Sequence, residues 1–429
     1  MPLRSIRLRQ QAARVAALAG LSSLLLACGA APRFDGTVPV GILHSLSGTM
    51  AISEVGVAEA ERLAVDEINA AGGVRAGGRR LKIEAIQRDG ASEPRVFAGE
   101  AERLISQRRV AALFGGWTSA SRKAMLPVLE RHDHLLLYPV QYEGQECSRH
   151  VIYGGATPNQ QTGPAIDWLL RQPGRAFLLV GSDYIYPRTA NAIIREQLRR
   201  RGARLVGERY LPLGSTEVAP LITAIRRGLP RGGVLVNTLN GDSNVAFFQA
   251  LRQAGLTPEH GYDVISFSVA EEAVVAIGAA NLVGTHAAWS FFQSLDSDAS
   301  RRFSRAFQER YGEDRVTDDP AVKGYTLVHL WARAVERAGS TEPRRVRRAM
   351  IGLSLDSPAG AVTVQPNHHL VQRTLIGRVQ ANGQFRIEAD LGRIAPEPWS
   401  PLLAASRGNR CDWTLARQDA GRFRVKAPQ

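Results

Sequence analysis

The sequence predicts an α/β fold, with mainly parallel sheets covered by helices and divided between two lobes built from interleaved pieces of chain. Three observations lead there. From residue 38 onward, apolar runs of strand length alternate with stretches whose apolar residues recur at three and four positions. A Pro/Gly-rich segment, YGGATPNQQTGP at 153–164, breaks that rhythm after about four such units. A second set of strand-like runs follows, and a β-rich stretch returns near the C terminus.

In the first set the strands are VGILHS (40–45), LKIEAI (81–86), VAALFGG (110–116) and HLLLYP (134–139). Most are short, continuous apolar runs, as strands buried on both faces require. Between the first two, Val57, Ala60, Ala64, Ile68 and Ala71 form one helical stripe, Glu59, Arg62 and Glu67 fall on other faces, and Gly72-Gly73 supplies a left-handed stop. After the break come AFLLVGS (176–182), RLVGERY (204–210), GVLVNTL (233–239) and DVISFSV (263–269). The less regular LVGTHAAWSFFQS (282–294) precedes helical stretches through RRVRRAM (344–350). VTVQ (362–365), LIGRVQ (375–380) and the turn-bearing ANGQFRIEA (381–389) close the pattern.

Composition narrows the class of molecule. At 429 residues and 44% hydrophobic content, the chain can bury a large core, and a domain of about 100–200 residues implies two or three units. The first 27 residues read as an export signal: Arg4, Arg7, Arg9 and Arg14 precede VAALAGLSSLLLA, an apolar run too short to span a bilayer. It ends in Leu25-Leu26-Ala27-Cys28, which resembles the bacterial lipobox, so Cys28 is the expected lipidation site and residues 28–37 a linker. The other cysteines, Cys147 and Cys411, would live where disulfides persist, although sequence does not show that they are close enough to pair. The net charge of +14 comes from arginines scattered over helix faces and the signal, without a nucleic-acid motif, so no nucleic-acid partner is expected.

In an open parallel sheet, ligands bind beyond the carboxyl ends of the strands, where loops meet helix N termini. Polar and aromatic clusters occupy such positions here: HSLSGTMA (44–51), GGWTSASRK (115–123), YPVQYEG (138–144), GSDYIYPR (181–188), NTLNGDSN (237–244) and SFSVAEE (266–272). Trp117, Tyr138, Tyr142, Tyr184 and Tyr186 each bring an apolar plane and one polar tip that needs a partner. Ser119 either caps the helix after it or meets a ligand, and Asp242 and Ser243 face the same alternatives. Pro187 fits a first helical position, and Glu271 has capping-box spacing from Ser268.

Catalytic and metal chemistry find little support. There is no G-x-S-x-G elbow, and Ser119 and Ser121 are wrongly spaced from Lys123 for S-x-x-K. The pairs His132/His134 and His368/His369 lack partners at zinc-site spacing, so neither a metal nor another cofactor is expected.

Taken in order, GILHSLSGTMA, GGWTSASRK, YPVQYEG, the TPNQQ crossover, GSDYIYPRTAN, LNGDSN, FSVAEE, GTHAAW and PNHHL resemble the substrate-binding lipoproteins of bacterial urea ABC transporters, over residues 38 to 402. Short-chain amide-binding proteins, one a cytoplasmic amide sensor, are similar in turn, within the leucine/isoleucine/valine-type periplasmic binding family. The resemblance implies a type I periplasmic binding protein: two doubly wound lobes, three hinge crossovers and a ligand enclosed between them. It implies a first lobe of residues 38–156 plus 288–355, a second of 157–287 plus 356–402, and a tail of 403–429 outside the resemblance. Its function would be non-enzymatic capture of urea or a short amide for ABC permease subunits, on the outer side of the cytoplasmic membrane and anchored there by lipid. An amide-sensing regulator and an amidohydrolase are the competing readings.

Urea is small, planar and uncharged, so its affinity must come from matched hydrogen bonds in a dry slot. The candidate ligand-binding residues are Trp117, Ser119, Tyr138, Gln141, Tyr142, Tyr184, Tyr186, Asn240 and Asp242. Trp117 and Tyr184 would sandwich the plane, while Gln141, Asp242 and tyrosine oxygens would accept from its amino groups.

Overall fold

The computed structural model describes residues 32–172 and 175–424. The export signal and Cys28 therefore lie outside the described residues. The first lobe opens with β1 (Gly36–His44), α1 (Ala51–Ala70), β2 (Val74–Ala76), β3 (Arg79–Asp89), α2 (Pro94–Ser106), β4 (Leu113–Gly115), α3 (Ser119–Arg131), β5 (Leu136–Tyr138) and β6 (Val151–Tyr153). Its six-stranded sheet has the order β2-β3-β1-β4-β5-β6, parallel except for the β2–β3 pair. Every residue of β4, β5 and β6 is buried, which explains their unbroken apolar character.

The second lobe continues with α4 (Thr162–Leu169), β7 (Ala176–Ser182), α5 (Ile185–Arg200), β8 (Arg204–Leu211), α6 (Ala219–Gly228), β9 (Gly233–Thr238), α7 (Ser243–Gln253), β10 (Tyr262–Ser266), α8 (Glu271–Ile277) and β11 (His286–Trp289). The chain then adds α9 (Asp298–Tyr311), α10 (Asp319–Ala338) and α11 (Pro343–Met350), followed by β12 (Ser354–Ser357), β13 (Gly360–Val364), β14 (Leu370–Val379) and β15 (Phe385–Ile394). Helix α10 packs back on α1 in the first lobe, at a close approach. A Cβ on Gly324 would stand 2.9 Å from Glu61 Cγ and 3.0 Å from a Val57 methyl. Strands β7 to β11 are mutually parallel, and β14 closes on β11 antiparallel, with β15 beside it.

Three crossovers join the lobes. The first is Gly154–Gln161, where Gln160 Nε2 donates to the carbonyls of Leu370 and Ile394, both at 2.8 Å, and Gln161 Nε2 donates to the Ala288 carbonyl at 2.8 Å. The second leaves the second sheet after Trp289, because Ala287 pairs with Ser266 and Trp289 with Leu375. That places 288 and 289 in the second lobe rather than the first. The third falls at β14. Tyr153 bridges His369 at the edge of the first sheet, while Leu375–Arg378 pair with β11 in the second. The β12–β13 hairpin is joined to β14 by pairing, yet Val362 and Val364 are buried in the first-lobe core with Trp331.

The stripe read in α1 holds for Val57, Ala60, Ala64 and Ile68, which are buried, whereas Ala71 is exposed and caps the helix end, with Gly72 and Gly73 following at φ 108° and 71°. A surprise lies on the same helix. Glu54 and Glu61 are buried around His44, at 3.2 and 3.1 Å from its ring nitrogens. Beyond β15, a short hairpin of β16 (Asn409–Arg410) and β17 (Phe423–Arg424) carries Cys411, which is disulfide-bonded to Cys147 with a Cα–Cα distance of 6.5 Å. No helix of the described residues is long and apolar enough to cross a membrane.

Candidate ligand-binding site

The carboxyl ends of β4 and β5 face those of β7, β9 and β10 across the junction of the lobes. Gly115 and Gly116 turn the chain out of β4 at φ 128° and 79°, and a Cβ on Gly115 would lie 2.1 Å from the Leu43 carbonyl oxygen. The turn delivers Trp117, whose Nε1–H donates to Asn240 Oδ1 of the other lobe at 3.1 Å. Asn240 is itself fixed, its N–H donating to Ser182 Oγ at 3.0 Å and its Nδ2 to the Thr238 carbonyl at 3.2 Å.

Thr118 caps α3, accepting from the Ser121 N–H at 3.0 Å, so the cap is not Ser119. Ser119 is the first helical residue, and its hydroxyl donates to Glu143 Oε2. With the Ser121 N–H taken by the Thr118 cap and the Arg122 N–H by the Thr118 carbonyl, the N–H groups of Ser119 and Ala120 are the donors this helix end offers. Tyr138, at the end of β5, is fully buried and donates its hydroxyl to the Trp117 carbonyl.

Gln141 spans the gap between lobes. Its Nε2 donates to the Phe267 carbonyl at 2.8 Å and to Ser268 Oγ at 3.1 Å, while its Oε1 is buried without a partner. The opposite amide orientation would set oxygen against the Phe267 oxygen, so the chemistry fixes the assignment. Tyr184 is the N-cap residue of α5 and Tyr186 lies in its first turn, the helix starting at Ile185, two residues ahead of the start that Pro187 implied. Their rings are 6.3 Å apart and tilted by 40°. The Tyr186 hydroxyl is also buried and unpartnered. Burial pushes its pKa up, and although Ser268 and Gln141 are near enough to oppose that rise, neither meets the hydroxyl in hydrogen-bond geometry. Burial likewise raises Tyr184, helped by Tyr186, Tyr138 and Glu143.

Trp117, Ser119, Tyr138, Gln141, Tyr184, Tyr186 and Asn240 therefore converge. Two of the expected residues do not. Tyr142 stacks on Tyr153 at 4.9 Å, and its hydroxyl is engaged by His369 Nε2 at 2.6 Å and the Glu146 carbonyl at 2.8 Å, which makes it part of the packing beneath the site. Asp242 is exposed and its side chain makes no cap; its backbone is what is used, the N–H donating to Thr49 Oγ1 of the first lobe at 3.1 Å and the carbonyl accepting from the Val245 N–H at 3.0 Å. Glu271 forms no capping box either. It accepts from the Gln293 N–H at 2.7 Å and so ties the second crossover to α8.

A periplasmic binding protein domain is recognised over residues 38–405. The chain belongs to the periplasmic binding protein family. It is 25% identical over 233 residues to Leu/Ile/Val-binding protein homolog 8 of Brucella abortus, covering 52% of this chain and 56% of that one. Across the curated relatives it matches, the chain spans from about a quarter to a little over half of their length. Among solved structures, an ABC transporter solute-binding protein of Rhodopseudomonas palustris in complex with 3,4-dihydroxybenzoic acid has a TM-score of 0.73 at 20% identity, covering 83% of this chain and 97% of that one. LivJ of Streptococcus pneumoniae in complex with isoleucine gives a TM-score of 0.72 at 19% identity, with 84% and 100% covered. These likenesses establish the type I fold with its two lobes.

In this periplasmic binding protein, sequence reasoning missed the charged layer beneath the cleft. Arg122 is fully buried, with Nε donating to Glu146 Oε1 at 2.8 Å, Nη2 to Glu143 Oε1 at 3.3 Å and Nη1 to Ser119 Oγ at 3.1 Å. Its guanidinium lies over Tyr138 and Tyr142, at 4.8 and 4.7 Å from the ring centroids. Burial works against Glu146, but Arg122 and Lys123 outweigh it and hold its carboxyl at about 2. Burial pushes His369 down to about 3, so the ring is neutral; its Nδ1 donates to the Asn367 carbonyl and its Nε2 faces Tyr142. The available signal was a charged residue placed inside a polar and aromatic cluster: Arg122 in GGWTSASRK and Glu143 in YPVQYEG. Among the described residues no group of three or more His, Cys, Asp or Glu side chains is placed to hold a metal ion.

Proposed function

We propose that this protein is a non-enzymatic receptor that captures urea or a short-chain amide between its lobes and delivers it to an ABC importer. The observation that carries the reading is the Gln141 carbonyl oxygen, buried and unpartnered between the lobes while its amide nitrogen is engaged. A buried acceptor left empty costs about 1–3 kcal/mol, so the site favours a guest that brings an N–H to it. Beside it are a second unpartnered oxygen, that of Tyr186, and the Glu143 carboxylate, with helix N–H donors opposite. A molecule with one carbonyl and several N–H groups matches that set, and the tyrosine and tryptophan planes suit a flat one. A carboxylate guest would meet Glu143, which argues against the anionic ligands of structurally similar proteins.

Contacts that exist fully only when both lobes meet the ligand would favour the closed state. The Cys147–Cys411 disulfide supports export, and Cys28 is the proposed anchor. Calorimetry with urea, acetamide, formamide, isoleucine and benzoate tests the assignment, with saturable binding expected for the first three alone. Binding confined to isoleucine or benzoate would reject it, and ammonia released from urea would reject the non-enzymatic part. In Gln141→Leu the affinity for urea should fall by at least about tenfold.

A further inference from the structure

We infer that the segment following β15, closed by the Cys147–Cys411 disulfide, is a positioning element of the ligand site. It sets the loop that carries Glu143. The segment crosses the loop between β5 and β6 from outside. Pro398 accepts from the Gln145 N–H at 2.7 Å, and Trp399 Nε1–H donates to the Gly421 carbonyl at 2.9 Å. Gly421 packs so tightly on the loop that a Cβ there would lie 2.6 Å from the Cys147 carbonyl oxygen. Trp413 N–H donates to the Pro366 carbonyl at 2.9 Å, anchoring the hairpin beside the third crossover.

The loop needs such an external hold. Gly144 and Gln145 both have positive φ, 68° and 62°, and for a glutamine that conformation is disfavoured unless its surroundings enforce it. On its inner side the same loop is tied by Glu146. The carboxylate of Glu146 takes Arg122 at 2.8 Å, Lys123 at 2.7 Å and the Tyr153 hydroxyl at 2.8 Å. Arg122 in turn reaches Glu143 and Ser119. Clamped between the outer strap and this inner network, Glu143 has little freedom to leave Ser119. Cutting the outer clamp releases the left-handed pair at 144–145 and lets the neighbouring carboxylate drift.

Because the affinity readout rests on the amide reading above, the test carries a second, ligand-independent one. Full-length Cys147→Ser/Cys411→Ser protein is compared with wild type by calorimetry with urea and acetamide, and by hydrogen exchange at residues 143–147. The expected result is binding about tenfold weaker, faster exchange in that loop and unchanged exchange in β9. In a Glu143→Gln background, removing the disulfide should cause no further loss. Unchanged affinity and loop exchange in the double variant overturn the inference, as does an equal loss in the Glu143→Gln background. Should the double variant not fold, Trp399→Phe, which keeps an aromatic ring but deletes the N–H donor to Gly421, decides by a smaller shift in the same direction or by none. If wild type binds neither amide, the ligand assignment fails, and loop exchange alone judges the strap: faster supports it, unchanged refutes it.

Discussion

Replacing Arg122 by methionine tests the charged layer under the cleft. The methionine stem fills much of the space between the Tyr138 and Tyr142 rings, so the loss is mainly electrostatic. Glu146 loses its hydrogen bond at 2.8 Å and Glu143 its contact at 3.3 Å, and both carboxylates stay buried. Lys123 still reaches Glu146 at 2.7 Å, but it is 39% exposed and cannot follow inward to Glu143. Removing one partner of a buried pair costs about 3–5 kcal/mol. With a transition temperature that moves a few degrees per kcal/mol in a domain of this size, the first-lobe transition should fall by about 10 °C at pH 7. Differential scanning calorimetry is the assay, since two lobes need not unfold as one unit.

A pH arm sharpens this test. Glu146 sits at about 2, below its ordinary 4.5, so in wild type its contribution is full above 4.5 and is lost as pH falls toward 2. In the variant the buried carboxyl prefers its proton, which reverses the slope. The gap between the two proteins should therefore shrink as pH drops from 7 to 4. A fall below about 2 °C at pH 7, or a gap independent of pH, refutes the reasoning.

Two further outcomes follow from the same physical logic. Burial pushes His44 down, but Glu61 and Glu54 outweigh it and raise its pKa from 6.5 to about 9; its stabilisation is thus full below 6.5 and lost as pH rises through 9. Denaturant titrations between those pH values should show wild type losing about 2 kcal/mol that His44→Gln does not lose, and parallel curves would contradict the ion-pair account. Trp117→Phe keeps a ring but deletes the donor to Asn240, a bond between lobes. Loss of one such bond, about 1 kcal/mol, should weaken urea binding about fivefold with little change in unfolding temperature; equal affinity would show that this bond does not favour closure.

Much of the fold was legible because strands buried on both faces are mainly apolar, as LFG in β4 and the GVLV that opens β9 are. Loop residues just beyond such strands pointed to the cleft, and Trp117, Gln141 and Tyr186 meet there. Tyr142 and Tyr138 look alike in sequence. Their surroundings separate them: Tyr142 stacks on Tyr153 with its hydroxyl between His369 and the Glu146 carbonyl, whereas the Tyr138 hydroxyl meets the Trp117 carbonyl. The Arg122 layer was illegible for a related reason: Glu143 and Glu146 lie 21 and 24 residues away, and periodicity carries no information at that range. His44 with Glu61 is the same case, since a glutamate on an otherwise apolar stripe reads as an edge residue until the third partner is placed. The second crossover was placed slightly early because Ala288 and Trp289 are apolar enough for either sheet, and their pairing with β14 is set by chain 80 or more residues on.

Strand β14 belongs to neither lobe alone. Its start pairs with a hairpin seated on one body and its end is laced into the other, while Gln160 fastens a neighbouring connection to it. A pleated ribbon flexes easily across its plane and poorly within it, so a join of this kind acts as a leaf spring with one soft direction. Any opening about this join would follow a repeatable arc instead of a loose wobble, with displacement growing with distance from the spring. Whatever rests on both jaws at once would register occupancy of the space between them as a change in span.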